Sequence, residues 1–268
     1  MSKKKIAFVG CGALGQEIAR RIVDGTAGNY ELAGVYTNKM ENARKVALEF
    51  QCTAYGSLQE LYEDQPDILI EAANGSVLRE CLTNALMHHI DVIPLSLGVF
   101  ADKEYLERIT SLASEERAHV YFPSGAVGGF DLMMSAALDH DLSASICTEK
   151  PPIAFADASN LENHMLSDTE KEIIFTGNAD NAIKAFPKNV NVAVAVGLAT
   201  ISTDRLKVTV ASNPKLTVNT HTIELEGDFG SASVRIAAKA SRNAHSSKLA
   251  AYSVVSLLKR LDSWVGFF

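Results

Sequence analysis

A glycine fingerprint set between a strand and a helix constrains this chain more than any other feature. Residues 6–9 (Ile-Ala-Phe-Val) form an apolar run of the length of a buried strand. Gly10, Gly12 and Gly15 follow as G-x-G-x-x-G, and Leu14, Ile18, Ala19 and Ile22 then recur at helical spacing, with Gln16, Glu17, Arg20 and Arg21 on the other face. Strand, glycine turn and helix in that order are the context in which this spacing binds a dinucleotide. Gly10 permits the tight turn, Gly12 lets a pyrophosphate approach the backbone, and Gly15 lets the helix pack closely on the strand. The free N–H groups of the helix start, at Ala13, Leu14 and Gly15, then face the phosphates. The competing reading is a glycine-rich turn with no ligand.

Candidate strands and helices alternate as far as residue 122. Strands are expected at 30–36, 53–55, 67–72, 91–95 and 119–122, and helices at 42–50, 58–63 (capped by Ser57), 77–88 and 105–116. This order predicts an α/β chain whose residues 1–122 form a doubly wound parallel Rossmann sheet. The small residues Ala73, Asn74, Gly75 and Ser76 leave room for a ligand after the strand at 67–72, with Ala73 as a cofactor contact. At the end of the second strand an NAD enzyme places an acid on the ribose 2′-hydroxyl. Here that position reads Thr37-Asn38-Lys39, and the first acid is Glu41. Two readings follow: Lys39 pairs with a 2′-phosphate, so that NADP is accepted alongside NAD, or Lys39 is a solvated turn residue and Asn38 alone holds the ribose.

The pattern changes at Pro123. A glycine-rich stretch, Ser124 to Gly129, leads into a helix at 132–138 and a strand at 144–152 that stops at Pro151 and Pro152. Residues 153–171 are polar and poorly periodic, as in a surface loop or lid. A strand at 172–176, helices at 178–186 and 189–199, and antiparallel strands at 206–211, 217–226 and 231–238 complete a second domain over 123–244. The last helix, within 245–268, is expected to pack back on the first domain.

A net charge of −7 argues against nucleic acid as a partner and against attraction to an anionic membrane. The four cysteines form no C-x-x-C pair, and no histidine pair has metal-site spacing, so neither a metal nor a disulfide framework is expected. No apolar leader precedes the first strand and no segment approaches membrane-spanning length, which points to the cytoplasm.

Three phrases in the second half go beyond generic dinucleotide-binding features: Phe122-Pro123-Ser124-Gly125-Ala126-Val127-Gly128-Gly129, Phe186-Pro187-Lys188-Asn189-Val190-Asn191-Val192-Ala193, and Asn213-Pro214 with Asn219-Thr220-His221. With the fingerprint ahead of them, the chain resembles the L-aspartate dehydrogenase family over essentially its full length. The resemblance implies NAD- or NADP-dependent oxidative deamination of L-aspartate to iminoaspartate, then oxaloacetate and ammonia. It also implies a second, smaller mixed α/β domain like that of dihydrodipicolinate reductase, which carries substrate binding, catalysis and dimerisation, and a homodimer or larger homo-oligomer.

The family's active-site histidine falls on His221, and its cofactor contacts beyond the fingerprint fall on Ala126 and Asn191, with Asn189 close by on the substrate side. A histidine suits both steps, since a base must free the amine lone pair and water must then be activated against the imine. A substrate with two carboxylates calls for cations and N–H donors. Lys150, Ser124 and the backbone about Gly125 are the candidates, against readings as a surface lysine, a helix cap and a domain-crossing turn. Two alternatives remain at this stage: a related imine reductase or semialdehyde dehydrogenase, and a non-catalytic NAD(P)-binding redox sensor.

Overall fold

The apolar run after the N-terminus becomes β1 (Lys4–Val9), whose last four residues are all buried. A computed structural model of the chain describes residues 2–156, 161, 165–186, 191–239 and 247–266. Two compact units result, Met1–Gly125 with Ala250–Phe268, and Ala126–Leu249.

In the first unit β1 leads through α1 (Ala13–Val23), β2 (Tyr30–Tyr36), α2 (Met40–Phe50), β3 (Thr53–Ala54), α3 (Leu58–Glu63), β4 (Ile68–Glu71), α4 (Gly75–Met87), β5 (Asp91–Pro94) and α5 (Lys103–Glu116). The sheet order is β3-β2-β1-β4-β5, and every pair is parallel. The order reverses direction at β1 and β4, which puts a switch-point crevice at their carboxyl ends. Side chains fix the helix starts. Ser57, Asn74 and Asp102 accept bonds from the backbone N–H groups of Glu60, Val77 and Tyr105 at 3.1, 3.2 and 3.1 Å, caps that contribute about 1 kcal/mol each.

Residues 119–122 do not form the sixth strand expected of them. They make one isolated parallel bridge, Val92 to Val120, with bonds from Val92 N to His119 O and from Tyr121 N to Val92 O, both 2.8 Å. Continuing that ladder would require an N–H at residue 94, and Pro94 has none.

The last helix, α9 (Lys248–Asp262), adds Ala251, Val254, Val255, Leu257 and Leu258 to the core that holds Ile6, Ile18, Ile22 and Tyr30. Two bonds fix this packing: the Tyr30 hydroxyl donates to Leu258 O (3.0 Å), and the Asp262 carboxylate accepts from Asn29 N (2.8 Å). The start expected at 245 lies outside the described residues.

The second unit holds α6 (Phe130–Ala136), β6 (Ser143–Lys150), β7 (Glu172–Asn178), α7 (Ala179–Ala185), α8 (Asn191–Ala199), β8 (Lys207–Ser212), β9 (Asn219–Gly227) and β10 (Gly230–Ala238). Its sheet order is β10-β9-β6-β8-β7. The strand at β8 was expected to be purely antiparallel; it runs antiparallel to β7 but parallel to β6, which inserts between β8 and β9. Alternation alone sets which residues share a face and is silent about partner and direction. The expected polar loop at 153–171 also opens differently. A 3-10 turn, Pro152–Phe155, buries Ala154 and Phe155, and Phe155 meets Phe186 edge-on at 6.0 Å.

Burial alternates strictly along β6: Ala144, Ile146, Thr148 and Lys150 are buried while Ser143, Ser145, Cys147 and Glu149 are not. The buried face joins Ile223 and Leu225 of β9 and Val208 and Val210 of β8 in one core with residues of α6, α7 and α8.

Candidate active site

The first unit carries a cavity of about 550 Å³ at the carboxyl ends of β1, β2 and β4, lined among others by Gly10, Gly12, Asn38, Lys45 and Ala73. The glycines of the fingerprint differ in what a side chain there would meet. Gly10 has φ +78°, and a Cβ there would sit 2.6 Å from the Ala73 Cβ. A Cβ on Gly15 would press on the Cys11 Sγ at 3.2 Å and the Gly10 carbonyl at 3.3 Å. A Cβ on Gly12 would meet nothing within 4 Å; it would project into open space at the start of α1, where no side chain caps the helix. That open cradle over the first N–H groups of α1, next to Ala13, Leu14 and Gly15, suits the pyrophosphate of a dinucleotide.

At the end of β2, Asn38 lines the cavity. Lys39 is exposed at the N-cap of α2 and is not among the lining residues. Asn42 and Lys45, one turn further along α2, take part in the lining, and Lys45 pairs with Glu41 at 2.6 Å. Sequence reasoning stopped at the end of β2 and missed both, although helical spacing puts them on the exposed face that begins at residue 38.

Glu71 was also missed. It is fully buried at the end of β4 and accepts bonds from Ala73 N (2.7 Å), Ser96 N (3.1 Å) and Ser96 Oγ (2.9 Å). Burial raises its pKa, and these donors offset part of that rise. The carboxylate thereby ties the loop after β4, with cavity-lining Ala73, to the loop after β5. Cys11 is buried, and its thiol is pushed up to about 12, so it holds its proton at neutral pH.

The second unit gathers its polar groups at one end of the buried sheet face. Antiparallel pairing sets Thr148 opposite His221, and parallel pairing sets Lys150 opposite Ser212. All four side chains are buried, as is Asn219, two residues before His221 on the same face of β9. Thr148 Oγ1 lies 3.0 Å from His221 Nδ1. Burial, and then the positive charge of Lys150, push His221 down to about 3, so the ring is neutral at pH 7. Burial alone lowers Lys150 to about 8, which leaves it mostly cationic at that pH. Lys150 is therefore no surface lysine, since 3% of it is exposed. The Ser212 hydroxyl is buried and has no hydrogen-bond partner among the described residues, which marks this end of the face as a place where a ligand's polar group would be welcome.

Thr148 and Ser212 went unnoticed in the sequence. Register finds them: pairing of β6 with β9 sets Thr148 opposite His221, and pairing of β6 with β8 sets Ser212 opposite Lys150.

The remaining expected residues are more scattered. Ser124 and Gly125 end the first stretch of unit one, and Gly125 N donates to Ser253 Oγ at 3.0 Å. Ala126 begins unit two, and Asn191 is the first residue of α8. Asn189 and His164 lie outside the described residues. Among the described residues no group of three or more potential ligands is placed to hold a metal, and no helix is long and apolar enough to cross a membrane.

Comparison with known proteins adds to this geometry. Residues 131–261 match the family model described as aspartate dehydrogenase, C-terminal, and residues 10–123 match that described as homoserine dehydrogenase, NAD binding domain. The L-aspartate dehydrogenase of Methanosarcina barkeri is 38% identical over 265 residues, 97% of each chain. That of Methanosarcina acetivorans is 38% identical over 263 residues, 96% of each. The crystal structure of aspartate dehydrogenase from Thermotoga maritima superposes with a TM-score of 0.79 at 25% identity, covering 99% of each chain.

Proposed function

The chain belongs to the L-aspartate dehydrogenase family, and from that premise we propose that it oxidises L-aspartate to iminoaspartate and on to oxaloacetate and ammonia. The cofactor is NAD or NADP, and the open cradle at Gly12 fits its pyrophosphate. The observation that carries the reading is the buried pair of His221 and Lys150 on one face of the second sheet, a neutral imidazole beside a retained cation.

When bound, the nicotinamide supplies the hydride acceptor. Lys150 meets a substrate carboxylate, a charge-assisted contact that is strong because it is shielded from water. The Ser212 hydroxyl is available to the same group. Neutral His221 takes a proton from the substrate amine. The lone pair freed on nitrogen closes the C=N bond as the hydrogen on Cα departs with its electron pair. After releasing that proton to water, His221 takes another from the water that adds to the imine carbon and returns it to the carbinolamine nitrogen; loss of the hydroxyl proton then closes the carbonyl as ammonia leaves. A pKa near 3 is low for such a base; burial is the larger cause and the positive charge of Lys150 the second. Two substrate carboxylates cancel that charge and raise the imidazole toward the useful range. Asn189, Ser124 and Gly125 are further proposed substrate contacts, and Ala126 and Asn191 further cofactor contacts. The functional particle is proposed to be a cytoplasmic homodimer or larger homo-oligomer.

The test is formation of reduced cofactor, followed by absorbance, with L-aspartate, L-glutamate, L-alanine and L-homoserine in turn. Turnover with aspartate and little with the others is expected. A preference for any of the others would overturn the substrate assignment.

A further inference from the structure

We propose that Thr148 is a positioning residue for His221, accepting a hydrogen bond from Nδ1–H so that Nε2 is the bare nitrogen. The proposal rests on His221 being the base. The pairing of β6 with β9 puts the two residues directly opposite one another, and the 3.0 Å between Thr148 Oγ1 and His221 Nδ1 is a hydrogen-bond distance in a site closed to water. On its other side His221 is paired with Ile236 of β10, which offers the ring no polar side-chain atom.

A neutral imidazole carries one proton, and the partner of one nitrogen decides the state of the other. If Nδ1 holds the proton and donates to Thr148, Nε2 is free to accept one. The imidazolium formed next donates the same bond unchanged, so proton uptake requires no rearrangement on this side of the ring. With the bond reversed, Thr148 would donate to Nδ1, the proton would sit on Nε2, and His221 could take nothing from a substrate there. A threonine also differs from a carboxylate in this position. It orients the ring but adds no negative charge that would hold the second proton on.

The experiment compares wild-type protein with Thr148→Val, which keeps the branched shape opposite Val210 and removes the hydroxyl, and with Thr148→Ser, which keeps the hydroxyl. Nitrogen-15 NMR of labelled histidine, with His221→Gln used to assign the signal, reads the tautomer directly. Kinetics with aspartate supply the second readout. Expected are a pyrrole-like Nδ1 and a pyridine-like Nε2 in the wild type, lost or mixed in Thr148→Val. The valine variant should lose about 10- to 100-fold in kcat with little change in KM, and the serine variant should stay within about 3-fold of wild type. A pyridine-like Nδ1 in the wild type, a valine variant with unchanged kcat, or a serine variant as impaired as the valine one would each overturn the proposal. If the wild type oxidises no aspartate, the tautomer still reads: protonated Nδ1 that depends on the Thr148 hydroxyl upholds the positioning role while the substrate assignment falls.

Discussion

At the end of β1 the chain offers a ligand its own backbone. Gly12 leaves the start of α1 bare, Gly10 turns the strand away under Ala73, and Gly15 lets the helix lie close. At the end of β6 it offers side chains instead: Thr148, Lys150, Ser212, Asn219 and His221, all buried, drawn from three strands. A backbone cradle is written in consecutive residues, because one turn builds it. A side-chain cluster exists only once strands pair in the right register. The first region suits the pyrophosphate common to dinucleotide cofactors, and the second suits the substrate, the part that differs from enzyme to enzyme.

If the regions divide the work in this way, substitutions in each should damage different constants. The largest effect is expected from His221→Ala, about 10²- to 10⁴-fold in kcat. A variant within a few-fold of wild type would remove His221 from the chemistry. Next, Lys150→Met should raise KM for aspartate by about 100-fold and leave cofactor affinity alone. A loss confined to cofactor affinity would move Lys150 out of the substrate site. Gly10→Ala should do the reverse, weakening cofactor binding about 10-fold or more and lowering stability, since the new Cβ meets Ala73 in a left-handed turn. Calorimetric titration and thermal melts check both.

This same contrast explains what could be read from the sequence alone. The fingerprint, the alternation that follows it and the Ser57 cap are local, and each appears in the structure at those residues. The partial strand at 119–122 failed because continuing its ladder meets proline on both sides, Pro94 in the neighbouring strand and Pro123 just past the segment, and only the second is local. β8 was legible as a strand but not as a parallel neighbour of β6. Lys150 was visible as a residue type with a suitable chemistry, and His221 was singled out by the resemblance together with the chemistry of imidazole. Thr148 and Ser212 were not, because nothing in an alternating run distinguishes them until pairing places them opposite the other two.

Smaller effects sharpen the picture further. His221 is held down to about 3 in the native protein, against 6.5 as its ordinary value. As pH falls below about 6.5, the unfolded chain binds a proton that the folded one refuses, so the native state loses stability until about pH 3. Wild-type protein should therefore lose about 1–2 kcal/mol more than His221→Asn between pH 7 and pH 5 in denaturant titrations. Equal losses would mean that the ring is not buried neutral. The smallest effect separates the two lysines that follow β2. Lys45→Ala should weaken NADP relative to NAD by about 3- to 10-fold, as the loss of one charge contact implies, and Lys39→Ala should change the ratio little. The opposite ranking would return the 2′-phosphate to Lys39.

The division between the two regions is tested most directly by the cofactor affinity of the His221→Ala protein, measured by titration beside its turnover. The account predicts a dissociation constant within about 2-fold of wild type in a protein whose turnover is gone. Affinity weakened 10-fold or more, about 1.4 kcal/mol, would contradict it, because binding and chemistry would then share one set of residues.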